Sequence, residues 1–283
     1  MQHLPGFASL ADRYDGFIVD LWGVIHDGVR PYPGAADVLA SLRDLGKPVV
    51  LLSNAPRRSS IAAEAMRAMG LPDSLYTGIM TSGEATWQAL NARDDPWFAN
   101  LGQRVFHLGP KRDAGTMEGL RLDTTELPSE AEFVLNTGPD DLLSPTEISA
   151  YQDILNACIA ANLPMICANP DLEVIRDGAR VICAGALAAR YEEMGGQVRY
   201  FGKPDPAIYR PVLTTLDLER SRVLAIGDAL RTDIAGATAA GIDSCWVLGG
   251  IHGAELDHDR AKIEAAAAAA GLAPVAAIPT FIW

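Results

Sequence analysis

Three short apolar runs, F-I-V at 17–19, V-V-L-L at 49–52 and V-L-A-I at 223–226, each break off into polar residues: Asp20, Ser53 with Asn54, and Asp228. Runs of this kind, rich in β-branched and aliphatic residues and bounded by turn residues, are strands buried on both faces, the pattern of a parallel sheet. A helix links the first to the second, because Ala35, Val38, Leu39 and Leu42 recur at helical spacing in residues 35–45 and Gly46 closes the segment. A right-handed crossover makes such strands parallel and brings their carboxyl ends to one rim. Ligands of open α/β sheets bind at that rim. The expected fold class is therefore α/β, with an open parallel sheet.

Residues 59–69 predict a second helix, 75–82 a third strand, and G-E-A-T-W-Q-A-L a further helix. From about Asn91 the texture changes to a polar, proline-containing connection, D-D-P-W-F-A-N-L-G. A second alternation follows: strands at V-F-H-L-G, E-F-V-L-N-T and P-M-I-C, a short helix after Asp113, and a long one over 145–161 with Pro145 in its first turn. A helix over 185–194 ends in Gly195–Gly196. Such alternation describes an inserted α/β domain rather than a loop. The expected division is a core of residues 1–84 and 197–283 around an insert of 85–196. The segment 198–201 reads as a strand of the returning core, and P-V-A-A-I-P-T-F-I-W as an edge strand or a plug against the sheet.

With 283 residues, 49% of them hydrophobic, the chain can bury two moderate cores. Its formal net charge of −13 leaves no basic stripe for a phosphate backbone, which argues against nucleic acid as a partner. No apolar run is long enough to cross a membrane. Cys158, Cys167, Cys183 and Cys245 lie in apolar segments without metal-ligand spacing, and read as core thiols in a reducing compartment. The cytoplasm is the expected location.

The strand ends together offer Asp20, Ser53, Lys203, Asp228 and Asp233. Taken singly, each has a plainer role: Asp20 can cap a turn, and Ser53 can cap the helix after it. Taken together, two carboxylates from one rim with a third a turn away form a hard oxygen site suited to Mg²⁺. A hydroxyl, an amide and a lysine suit the oxygens of a phosphoryl group. Such a site can present Asp20 to phosphorus, form an aspartyl phosphate, and let water hydrolyse it.

The ordered set D-L-W-G-V-I-H-D-G, L-L-S-N, T-S-G-E-A-T, A-N-P-D, G-A-L-A-A-R-Y-E, G-K-P-D-P-A-I-Y and G-D-A-L-R-T-D-I-A-G-A closely resembles the haloacid dehalogenase-like (HAD) hydrolases. Within them it is similar to class IIA, the 4-nitrophenyl phosphatase and sugar-phosphate phosphatase type. The resemblance implies a Rossmann-like HAD core with an inserted α/β cap, and a small phosphorylated metabolite as substrate. It makes Asp20 the nucleophile, Lys203 the charge clamp, and Ser53 and Asn54 the phosphoryl binders. Asp228 and Asp233 would hold the metal with Asp20 and the backbone carbonyl of Trp22, while Asn169 and Asp171 would face the substrate from the cap. It also implies a homodimer formed through the cap.

The family carries a second aspartate two residues after the nucleophile, which protonates the leaving oxygen. Here that position is Trp22, whose indole N–H cannot transfer that proton. General acid–base assistance is worth about 10²- to 10⁴-fold. Three readings stay open: a phosphatase that is slow or served by another acid, with His26 and Asp27 the nearest in sequence; a protein that binds a phosphorylated metabolite or partner without hydrolysing it; or chemistry moved to another bond. His26 and Asp27 read more plainly as turn residues. Trp87, Trp97 and Trp246 read as packing, and His107, His252 and His258 have no spacing partner for a metal.

Overall fold

The computed structural model describes every residue except Asp177, Asp257 and His258, so the reading of His258 falls outside it. The first part of the chain supplies strands β1 (Gln2–His3), β2 (Gly16–Val19), β3 (Val49–Ser53) and β4 (Gly78–Thr81). The middle supplies β5 (Arg104–Leu108), β6 (Asp123–Thr125), β7 (Phe133–Asn136), β8 (Met165–Cys167), β9 (Glu173–Arg176), β10 (Ala179–Ile182) and β11 (Val198–Tyr200). The last part adds β12 (Val223–Gly227), β13 (Asp243–Val247) and β14 (Ala276–Ile278).

A seven-stranded sheet runs in the order β1-β14-β13-β12-β2-β3-β4, and every pairing in it is parallel. Strands β2, β12 and β3 are buried along their whole length, which is why they read as unbroken apolar runs. Alternation decides which face each residue serves. Phe17, Val19, Val49 and Leu51 pack with Val38, Leu39 and Leu42 of the helix Ala35–Asp44, whereas Ile18, Val50 and Leu52 pack with Tyr209 and Val212 of the helix Tyr209–Leu216. Each such buried aliphatic side chain contributes about 1.5–3 kcal/mol. A two-layered core of this kind fixes the rim on which the polar strand ends stand.

The middle of the chain forms a five-stranded parallel sheet, β11-β8-β7-β5-β6, and a separate antiparallel pair, β9-β10. Its core gathers Leu108, Val134, Tyr151, Leu155, Met165 and Leu187. Strand β11 corrects the expected return at residue 197. Val198–Tyr200 pairs in register with Met165–Cys167, so this strand belongs to the second sheet and the chain re-enters the first only beyond it. Its apolar residues give no sign of which sheet edge they join. The helix Ser82–Ala92 likewise bridges the two: Ala85 packs on the large sheet and Leu90 on the cluster with Phe98 and Val105.

Three further expectations are corrected. The long helix starts late, as a 3₁₀ turn Ile148–Tyr151 leading into Gln152–Ala160, and Pro145 lies ahead of it with its carbonyl accepting from Ile182. The segment after Asp113 is a 3₁₀ turn, Lys111–Met117. The tail strand β14 is interior, flanked by β13 and β1, while the terminal aromatics divide, Phe281 packing on Phe7 at 5.2 Å between ring centroids and Trp283 standing exposed. The four cysteines are buried and unpaired. Among the described residues no helix is long and apolar enough to cross a membrane.

Candidate active site

Asp20 stands one residue beyond β2, where its backbone N–H still bonds the Ile226 carbonyl of β12 at 2.9 Å. Its carboxyl is almost fully enclosed and receives a hydrogen bond from Lys203 Nζ at 2.6 Å. Lys203, on the segment that leads back from β11, also donates to Asp233 Oδ1 at 2.7 Å and to the Leu52 carbonyl at 2.8 Å. An ammonium group has three donors, so all three are taken and its position is fixed. Asp233 is delivered by a π-helical turn, Leu230–Ile234, and its second oxygen accepts from the Ala229 N–H at 3.1 Å. A π turn of this sort inserts one residue into the helical register and is common where a side chain must be re-aimed.

Asp228 follows β12. Its Oδ2 accepts from the Ile251 N–H at 2.7 Å, and its carbonyl accepts from the indole of buried Trp246 at 2.8 Å. Two glycines make room for the carboxylate. A Cβ on Gly23, whose φ is +77°, or on Gly250 would come within 2.0 Å of Asp228 Oδ2. Asp20, Asp228 and Asp233 each offer an oxygen, and these oxygens lie within 4.8 Å of one another.

Three buried carboxylates share one ammonium. Burial, together with the neighbouring acids, raises the Asp20 carboxyl well above its ordinary range against the pull of Lys203, and raises Asp228 to about 8. Lys203 is held above its ordinary range because Asp20 and Asp233 outweigh the depressing effect of burial. A cluster whose Asp20 and Asp228 carboxyls are raised for want of positive charge, in a cradle closed by two glycines, fits a divalent cation held by hard oxygen ligands.

The other anticipated residues divide. Asn54 is buried and central: its Oδ1 accepts from the Lys203 N–H at 2.8 Å and from Ser82 Oγ at 3.1 Å, and its amide donates to Asp171 Oδ1 at 2.9 Å and to the Lys203 carbonyl at 3.0 Å. Ser53 Oγ accepts from the Ala55 N–H at 3.2 Å and shapes the turn after β3. Asp171 stands on the cleft wall, and burial raises its carboxyl. Asn169 does not; its Oδ1 accepts from the Asp171 N–H at 3.0 Å, so it shapes the loop that carries Asp171. Trp22 lines the cleft, its ring edge-to-face with His26 at 5.6 Å. His26 is buried, its Nδ1 accepts from the Gly28 N–H at 3.0 Å, and burial lowers it to about 4. Asp27 Oδ1 accepts from the Val29 and Arg30 N–H groups at 2.9 and 2.7 Å. Both are turn residues off the cleft wall.

Sequence reasoning missed part of the wall: Tyr32, Glu173, Val174 and Ile175 line it together with Gly249–Ile251. The β9–β10 hairpin that carries three of them had a signal, since the D-G pair at 177–178 is flanked by Val174, Ile175, Val181 and Ile182. Polar contacts that join the two sheets' walls were not legible: Arg57 pairs with Asp113 at 2.6 Å, Thr116 donates to the Pro56 carbonyl, and Arg231 donates to the Pro170 carbonyl.

The family model for haloacid dehalogenase-like hydrolases matches residues 17–122, and a HAD-hydrolase-like model matches 200–274. Ribonucleotide monophosphatase NagD of Escherichia coli is 30% identical over 242 residues, spanning 83% of this chain and 87% of its own. Among solved structures, a haloacid dehalogenase-like hydrolase from Brucella suis superposes with a TM-score of 0.85 at 31% identity, covering 99% of this chain and all of that one. The p-nitrophenyl phosphatase of Archaeoglobus fulgidus gives a TM-score of 0.71 at 25% identity, covering 94% and 96%. With the seven-stranded core, the inserted second sheet and the buried acid cluster in place, this chain belongs to the haloacid dehalogenase-like hydrolases, in the class IIA phosphatase branch that carries an α/β cap.

Proposed function

We propose that the protein hydrolyses a small phosphomonoester with the help of Mg²⁺, through an aspartyl phosphate on Asp20. The observation that carries this reading is the Lys203 ammonium, locked between Asp20 and Asp233 at 2.6 and 2.7 Å beside Asp228. Asp20, Asp228 and Asp233, with the Trp22 carbonyl, are the groups that would hold the cation, which when bound would supply positive charge for the carboxylates and for the phosphoryl oxygens. Lys203 orients Asp20 and offsets the charge of the incoming dianion. Asn54 fixes the Lys203 backbone and, with Ser53, borders the place of the phosphoryl group. Asp171, on the cap wall, closes over it and helps exclude water. Free, buried thiols agree with a reducing cytoplasmic setting.

Phosphate release over a panel of metabolite esters, with and without Mg²⁺, tests the proposal. Activity that needs the metal and falls by about 10⁴-fold or more in Asp20→Asn is expected. A protein that binds phosphorylated ligands yet releases no phosphate, while Trp22→Asp gains turnover, would show a binding protein instead.

A further inference from the structure

The wall around the acid cluster carries few protons to give. Lys203 has spent its three donors. Glu173 is ion-paired with Arg180. Asp171 accepts from Asn54 at Oδ1, and its carboxyl, raised by burial, is the one acid of the cap wall whose part the Asp171→Asn variant must decide. Tyr32 is a phenol whose partial burial makes it less acidic still. Trp22, directly beside the cluster in the chain, is held as a rigid plate: a Cβ on Gly28, at φ +88°, would lie 2.1 Å from its Cη2. Independently, Trp22, Tyr32, Val174, Ile175 and Ile251 give the same wall an apolar stretch facing the cleft, and its titratable side chains other than Lys203 and Tyr32 are carboxyls.

We propose that this cleft selects phosphate esters of acidic hydroxyls, phenolic or enolic, whose apolar or cationic body rests against Trp22 and whose oxygen departs without taking a proton from the protein. The inference rests on the phosphatase reading above. In the first step an Asp20 carboxylate oxygen forms a bond to phosphorus as the ester P–O bond breaks, and the leaving group keeps the electron pair as an oxyanion that solvent protonates later. In the second, water attacks the aspartyl phosphate, the P–O bond to Asp20 breaks to restore the carboxylate, and the water's proton passes to the released phosphate. A phenol ionises near pH 10, so its anion departs readily, whereas an alkoxide does not. An aromatic ring also gains offset or edge contacts with the indole that an aliphatic polyol cannot make.

The test is the dependence of kcat/KM on leaving-group acidity, measured with Mg²⁺ over substituted phenyl phosphates and an alkyl phosphate of similar size. The expected result is a steep fall with rising phenol pKa, with the alkyl ester lower by a further ~10²- to 10⁴-fold, the contribution of a positioned acid. Trp22→Asp is expected to flatten the series and raise the alkyl ester selectively, and Trp22→Phe to keep it steep. A shallow series in the parent protein, with aryl and alkyl esters within about tenfold, overturns the inference even if Trp22→Asp fails to fold. So does a series that steepens in Asp171→Asn or Tyr32→Phe, since either would then be the proton donor. Absence of turnover for even the most activated ester, or turnover that survives Asp20→Asn, overturns instead the phosphatase reading on which the inference stands.

Discussion

The two ends of the cleft are built by opposite means. At the acid end, Asp20, Asp228, Asp233 and Lys203 come from strand ends and the turns after them, the ammonium and at least one oxygen of every carboxyl are bonded at 2.6–3.1 Å, and two glycines are required for one carboxylate to fit. At the other end, Trp22, Tyr32 and the β9–β10 hairpin present half-buried apolar surface on loops, with few fixed polar contacts. The difference separates two tasks. Charge that must be compensated needs groups held before the ligand arrives, because reorganising them in a dry site is costly. A leaving group needs only shape and apolar area, which loops can vary without disturbing the cluster.

The strongest way to break this contrast is through protons at the acid end. Burial raises the Asp228 carboxyl to about 8, so below that pH the metal-free protein holds a proton that a cation must displace. Calorimetric Mg²⁺ affinity should fall about tenfold per pH unit from 8 to 6, roughly 10²-fold in all, and level off above 8. An affinity independent of pH would mean the acids are already ionised. The Trp22 hairpin should show a pH effect of its own. Burial lowers His26 to about 4 from 6.5, so the unfolded chain takes up a proton first as pH falls. The stabilising contribution is complete above 6.5 and is lost between 6.5 and 4, about 3 kcal/mol in all. Denaturant melts of His26→Gln should lack that part of the pH dependence.

Glycine substitutions sharpen the comparison. Gly250→Ala puts a Cβ 2.0 Å from Asp228 Oδ2 and should weaken metal binding by tenfold or more with about 1–3 kcal/mol lost in stability. Gly46→Ala, with open space around it and a φ of +70°, should cost about 1 kcal/mol and leave the metal untouched. The smallest effect belongs to the loop end: Ile175→Ala should raise KM for an aryl ester by about tenfold or less while kcat stays, as loss of an apolar contact made equally in the ground and transition states.

The acid end was almost wholly legible in the sequence because its logic is periodic: an apolar strand must end at the rim, and the residue that follows is delivered there. Asp20, Asn54 and Asp228 are placed by that rule alone. Lys203 and Asp233 came from the same order of motifs, though neither the lysine's three bonds nor the π turn under Asp233 has a sequence signature. The loop end was legible only in part. Trp22 was readable as a departure, but Val174 and Ile175 face the cleft from a strand pair whose D-G sequence signal went unread, and Tyr32 gave no signal. Strand β11 shows the general reason. Its apolar residues fit either sheet, and only the neighbour it pairs with, Met165–Cys167, decides.

The pairing of β2 with β12 carries one further consequence. Lys203 and Asp20 touch although 183 positions separate them, and the whole second sheet is looped out between. Closing so long a loop is entropically slow, so contacts of this range form late in folding. The place for a phosphate therefore exists only once both halves of the polypeptide have met.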